Sequence, residues 1–175
     1  MEGAGGGCLT AMPPLRAGII SAIVTLVLDQ ASKLWLLNVF ELARRGKVEV
    51  TPFFDLWLAW NIGISFGWLQ NDSQAAQIAL MAVKVFAVVA LAIWMARSHT
   101  RLATVALGLI IGGAIGNGID RLAYGAVVDF ALFHVQIGGI TYNWYVFNLA
   151  DVAIVAGVAG LLYDSFLGVP AAKAP

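Results

Sequence analysis

Residues 102–121 read LATVALGLIIGGAIGNGIDR, and the stretch 102–119 carries no charge before Asp120 and Arg121 close it. An uncharged, mostly apolar run of this length is what a helix needs to cross the hydrocarbon of a bilayer. Working outward with the same test, three more runs qualify, at 17–40, 75–96 and 144–167. Composition agrees: 61% of the 175 residues are apolar and 11% are charged, against about 45–50% and about 25% in a soluble domain. A mean hydropathy of +0.86 excludes a disordered chain and fits poorly with a water-soluble globule. Ten basic and ten acidic residues cancel, so no basic footprint for nucleic acid is present. Cys8 stands alone, which excludes an internal disulfide framework and a cysteine-based zinc site. The opening residues 1–16, rich in Gly and Pro, read as a loose tail rather than a cleaved signal peptide.

Four spans put both termini on one side, joined on the other side by connections at 41–74 and 120–143. Gly108, Gly112 and Gly116 recur every fourth residue in the third span. The fourth has Ala153 with Gly157 and Ala156 with Gly160, so these two helices are expected to pack closely on each other. Alternation at Lys47–Thr51 and at Phe133–Ile137, followed by Gly138-Gly139 and Ile140–Tyr142, predicts strands and a hairpin. Trp57, Trp60, Phe66 and Trp68 suggest a segment lying at the headgroup boundary. The expected fold is one α-helical integral membrane domain over 1–175. It has four transmembrane helices, with a small extramembrane β-sheet and an interfacial aromatic segment on one face. Charge does not orient it: Arg16, Arg97, Arg101 and Lys173 flank one face, Arg44, Arg45, Lys47 and Arg121 the other.

Ionisable groups inside spans cost about 2.5–3.5 kcal/mol each on insertion scales, so each needs a partner or a purpose. Asp29 and Lys33 stand four apart, acid first, as a local ion pair. Lys84 has no such neighbour. Asn117, Asp120 and Arg121 share one face at the end of the third span, where an Asp–Arg pair can tie loop backbone down. Asp129 is enclosed by Val127, Val128 and Phe130, so desolvation should resist its ionisation. Asn148 and Asp151 lie one turn apart, with Asp151 expected about two turns inside the fourth span.

The connection between spans three and four sets Asp129 and Asp151 at similar depth. Two carboxyls within reach of each other share one proton, so one serves as base and the other as acid. Such a pair can activate water against a peptide carbonyl without a covalent intermediate. A small carrier that binds a proton or cation on intramembrane carboxylates is the competing reading, and a purely structural subunit is the third. Two scattered histidines, His99 and His134, do not supply a metal site beside the acids.

These residues resemble the lipoprotein signal peptidase, or signal peptidase II, family of bacterial aspartic endopeptidases. The resemblance runs from Asp29 to about Gly157 through Asp29–Lys33, Asn61–Gly67, Gly112–Arg121, Gly125–Phe130 and Phe147–Asp151, in that order. It implies cleavage of a prolipoprotein just before its diacylglyceryl-modified cysteine, with Asp129 and Asp151 as the catalytic pair. By the same resemblance Asn61, Asn117, Arg121 and Asn148 line the substrate and inhibitor site. Asp29, Lys33, Gly113 and Asp120 support activity or the surrounding architecture. It further implies no metal or other cofactor, inhibition by cyclic peptides of the globomycin type, and a place in the bacterial inner membrane with both termini cytoplasmic. The segment 53–68 is expected to close over the site.

Overall fold

The computed structural model describes residues 14–62 and 74–167, apart from the side chains of 74–81 and 167. In chain order the elements are α1 (Pro14–Asn38), α2 (Leu42–Arg45), β1 (Val48–Thr51), β2 (Phe54–Asn61), α3 (Gln74–Arg97), α4 (Arg101–Tyr124), β3 (Val127–Ile137), β4 (Ile140–Asn143) and α5 (Leu149–Leu167). Among the described residues three helices are long and apolar enough to cross a membrane: Pro14–Asn38, Arg101–Tyr124 and Leu149–Phe166. The helix α3 has 24 residues and covers the expected run 75–96.

The hub is α4, whose apolar window is 61% buried against 22% in α1 and 17% in α5. The outer helices turn Ile19, Ile23, Val27 and Phe166 outward, which is stable where hydrocarbon replaces water. The glycine stripe of α4 does bring a helix close, but that helix is α1, not α5. A Cβ on Gly108 would strike the carbonyl of Gly18, and one on Gly112 the carbonyl of Ala22. The packing of α4 on α5 uses other glycines: a Cβ at Gly113 would lie 2.6 Å from the Ala150 carbonyl, and one at Gly157 2.6 Å from that of Ala106. Small residues at the crossing let backbones approach in both cases.

The ends of α4 and α5 differ from the expected spans for local reasons. Thr100 caps α4, its hydroxyl accepting from the Ala103 N–H at 3.0 Å. The helix runs past 119 to Tyr124, where Gly125 adopts φ 74° and its N–H bonds the Arg121 carbonyl. Residues 144–148, expected in the fourth span, are not helical, because Phe147 exchanges backbone hydrogen bonds with Ala131 and Asn148 caps α5.

The strands form one antiparallel sheet in the order β1-β2-β3-β4. Gly138 and Gly139 have φ of 59° and 81°, as a two-residue turn between right-twisted strands requires. Leu36, Leu42, Phe130 and Ala131, with Phe54 and Phe147 against them, pack the sheet onto the end of α1. At 54–61 the expected aromatic boundary segment takes the form of strand β2, paired on both edges, with Trp57 and Trp60 about half exposed. The strand cannot swing as a lid while both ladders hold. Phe66 and Trp68 lie outside the described residues.

Candidate active site

The sheet delivers Asp129 and the start of α5 delivers Asp151. In the β2–β3 ladder Asn61 faces Val127 and Ala59 faces Asp129, so Asn61 and Asp129 are diagonal neighbours on one face. The Asn61 Nδ2 donates to Asp129 Oδ2 at 3.0 Å. Asp151 is not two turns inside a span but in the first turn of α5. There Asn148 and Asp151 cap the helix reciprocally: the Asp151 N–H donates to Asn148 Oδ1 at 3.0 Å, and the Asn148 N–H to Asp151 Oδ2 at 3.2 Å. The positive end of the helix faces this carboxylate.

Asn148 links the two acids. Its Nδ2 donates to Asp129 Oδ1 at 2.6 Å and to Asn117 Oδ1 at 3.1 Å. The Asn117 amide in turn donates to Asp151 Oδ1 at 2.8 Å. Asp129 is 2% exposed, and burial lifts its carboxyl above the ordinary value of 3.8. Hydrogen bonds from Asn61 and Asn148 oppose that rise, while the charge of Asp151 adds to it.

Beneath this pair lies a second buried cluster. Lys33 Nζ is 2.8 Å from Asp29 Oδ2 and 2.7 Å from Asp120 Oδ2, and also donates to Asn117 Oδ1 at 3.0 Å. The expected Asp29–Lys33 pair is thus present within a larger triad. The expected Asp120–Arg121 pair is corrected: Asp120 turns to Lys33, while the Arg121 guanidinium donates to the Asn117 carbonyl at 3.1 Å. Each acid of the triad also grips backbone beside one acid of the upper pair. Asp29 accepts from the Ala150 N–H at 3.0 Å, one residue before Asp151. Asp120 accepts from the Val128 N–H at 3.1 Å, one residue before Asp129. Gly113 permits this approach, since a Cβ there would meet Ala150.

Two sets of residues were not singled out in the sequence. Gln30 Nε2 donates to Asp120 Oδ1 at 2.9 Å and to the Gly116 carbonyl at 3.2 Å, completing the triad; its only sequence signal is adjacency to Asp29. Asp55, fully buried in β2, has Oδ2 2.8 Å from Lys47 Nζ and 3.0 Å from His134 Nε2. Burial pushes its pKa up, but Lys47 and His134 outweigh that and hold it below 3.8. The His134 Nδ1 is buried with no hydrogen-bond partner among the described residues. No group of three His, Cys, Asp or Glu side chains that could hold a metal occurs among the described residues.

Long helices around a polar site roofed by a small sheet define a helical membrane protein, and the likeness to solved structures is to bacterial membrane enzymes. One, determined by the in meso method at 1.9 Å resolution, superposes with a TM-score of 0.71 at 25% identity, over 88% of this chain and 95% of that one. Residues 21–167 match the family described as signal peptidase (SPase) II, and the chain belongs to that family of peptidases. It is 71% identical to a lipoprotein signal peptidase of Nitrobacter hamburgensis, over 94% of this chain and all of the relative. It is 70% identical to one of Rhodopseudomonas palustris over the same shares. Against one of Methylorubrum extorquens it is 49% identical, covering 94% of this chain and 92% of the relative. The carrier reading finds no support among these relatives.

Proposed function

We propose that this protein is an aspartic endopeptidase that removes the signal peptide from diacylglyceryl-modified prolipoproteins just before the lipidated cysteine. The observation that carries the reading is that one residue, Asn148, donates to both acids, its side-chain amide to Asp129 and its backbone N–H to Asp151, while no cation pairs with either acid among the described residues. In this reading Asp129, whose carboxyl burial raises above its ordinary value, is the acid and Asp151 the base. Asp151 takes a proton from water as its oxygen attacks the scissile carbonyl carbon, and Asp129 gives its proton to the carbonyl oxygen. Asp151 then gives its proton to the amide nitrogen while Asp129 takes one back from a gem-diol hydroxyl, which breaks the C–N bond, re-forms the carbonyl as a carboxylic acid and restores the pair.

In this reading Asn61, Asn117, Arg121 and Asn148 line the site, and Asp29, Lys33, Gly113 and Asp120 position it. Cyclic peptides of the globomycin type compete for it, and no metal takes part. The chain is one domain crossing the bacterial inner membrane four times, through α1, α3, α4 and α5. Both termini are cytoplasmic, and the connections 41–74 and 120–143 are periplasmic. The test is a gel-shift assay of purified protein with a lipidated precursor. Asp129→Asn and Asp151→Asn are each expected to lower cleavage by about 10²–10⁴-fold while the protein stays folded, and EDTA is expected to change nothing. An active Asp129→Asn protein would overturn the assignment.

A further inference from the structure

Asp55 and Asn61 belong to one strand and lie an even number of residues apart, so a regular β2 would send both side chains to the same face of the sheet. The ladder with β3 shows that it does not. Asp55 stands opposite Leu132 and Asn61 opposite Val127, positions of opposite parity on β3 and hence on opposite faces. The change falls between Leu56, which faces Ala131, and Ala59, which faces Asp129. Trp57 and Leu58 together oppose Phe130 alone, which makes a β-bulge. Since a slip of one residue turns every later side chain over, the bulge is what aims Asn61 at Asp129. Ironed out, β2 would set Trp60 opposite Val127 and turn Asn61 to the far face.

On that far face, just before the bulge, Asp55 is fully buried. Its Oδ2 lies 2.8 Å from Lys47 Nζ and 3.0 Å from His134 Nε2. Lys47 precedes β1 and His134 belongs to β3, so these contacts tie β2 to the strands on both sides. If the first half of β2 slipped by one residue, Asp55 would change face and a buried carboxylate would lose both partners, a heavy penalty. Phe54 packs on Phe133 with ring centroids 5.2 Å apart, but apolar contact is not directional and resists such a slip less.

We propose that Asp55, held by Lys47 and His134, is a positioning residue for the peptidase reaction: it locks the register of β2 ahead of the bulge and so keeps the Asn61 amide on Asp129 Oδ2, at 3.0 Å. This rests on the peptidase reading given above and adds to it a residue on the face of the sheet turned away from Asp129. Asn61 and Asn148 grip the two oxygens of the Asp129 carboxyl. With the register loosened, Asn148 alone holds it, and the carboxyl spreads over orientations that do not reach the scissile carbonyl. The chemical step slows while substrate binding stays in place.

The experiment is a double-mutant cycle with the lipidated precursor in micelles. Asp55→Val is expected to lower kcat by about 10–100-fold while KM changes by less than about 3-fold. In an Asn61→Ala background the same substitution is expected to cost no more than about a further 2-fold, because the group it acts through is already gone. Equal losses of kcat in the two backgrounds, or a wild-type kcat for Asp55→Val, would overturn the proposal. Should Asp55→Val not fold, Lys47→Met serves in its place, since the Lys47 side chain is 43% exposed; the same pattern is expected at smaller amplitude, and equal losses would again overturn the proposal. A second measurement needs no turnover. In a Cys8→Ser background, Trp60→Cys is expected to form a disulfide with Val128→Cys and not with Val127→Cys, and the register-loosening variant is expected to bring out the product at 127. Bridging to 128 alone in that variant would overturn the proposal. A wild type that leaves the precursor uncut would remove the peptidase reading itself, while the disulfide products would still report the register.

Discussion

Two acid pairs lie one above the other, and they are built differently. Asp29 and Asp120 share Lys33 at 2.8 and 2.7 Å; Asp129 and Asp151 are bridged by the amides of Asn117 and Asn148, with Asn61 on Asp129. A cation between two carboxylates pairs with both and fixes their geometry. Amides hold two carboxyls in place without neutralising them, and in the proposed reading it is the amide-held pair that carries the acid–base work while the lower one supports it. They are joined through the backbone, because the lower pair grips the N–H groups of Ala150 and Val128 beside the upper pair. The largest expected effect follows from breaking the lower cluster. Lys33→Met leaves two buried carboxylates uncompensated and should destabilise the fold by about 3–5 kcal/mol, read as a lowered unfolding midpoint in micelles. A Lys33→Met protein as stable as wild type, yet inactive, would move Lys33 from the supporting cluster into the chemistry.

A second contrast lies along α4. Gly112 sits against the backbone of Ala22, whereas nothing approaches within 4 Å of a Cβ placed on Gly118. Gly112→Ala must therefore push α1 away and is expected to cost about 1–3 kcal/mol. Gly118→Ala in the same helix should be neutral or stabilising by up to about 1 kcal/mol. Since α1 carries Asp29 and Lys33, the Gly112 variant should also lose activity in proportion to its lost stability. Equal melting shifts for the two variants would show that the α1–α4 crossing does not set the helix spacing.

How far the sequence could be read tracks how local each property is. The long helices were legible because an apolar run long enough for a bilayer needs no knowledge of its neighbours. The small-residue spacing of the fourth span announced the α4–α5 crossing, where Gly157 meets Ala106, but the glycine stripe of α4 itself faces α1, which carries no comparable glycine repeat to point to it. The apolar residues Trp144–Phe147 looked like the beginning of a span, although they are extended and bound to β3; the helix start was signalled instead by the Asn148 and Asp151 spacing, which is that of a cap. Asp120 and Arg121 looked like partners, yet adjacent residues on a helix point about 100° apart, and Lys33 of α1 takes the acid. The contact of Asn61 with Asp129 depends on the β2–β3 register across sixty-eight residues of chain, and no local pattern encodes that register. Asp55 was missed for the same reason, since its partners Lys47 and His134 arrive from just before β1 and from β3.

The smallest expected effect sharpens the opening contrast within the sheet, where Asp55 and Asp129 are both buried but, among the described residues, Asp55 alone pairs with a lysine and a histidine. Asp55 has its folded pKa below 3.8, so it contributes stability that is present above pH 3.8 and lost as pH falls through its folded value. Asp129 has its folded pKa above 3.8, so its contribution is full below pH 3.8 and lost as pH rises from there to its folded value. The two acids should therefore give opposite slopes of stability against pH on either side of that value. In thermal unfolding across a pH series, Asp55→Asn should flatten the acid limb and Asp129→Asn the limb above it. If Asp129→Asn flattened the acid limb instead, Asp129 would be a compensated acid like Asp55, and its proposed part as the acid of the pair would fall.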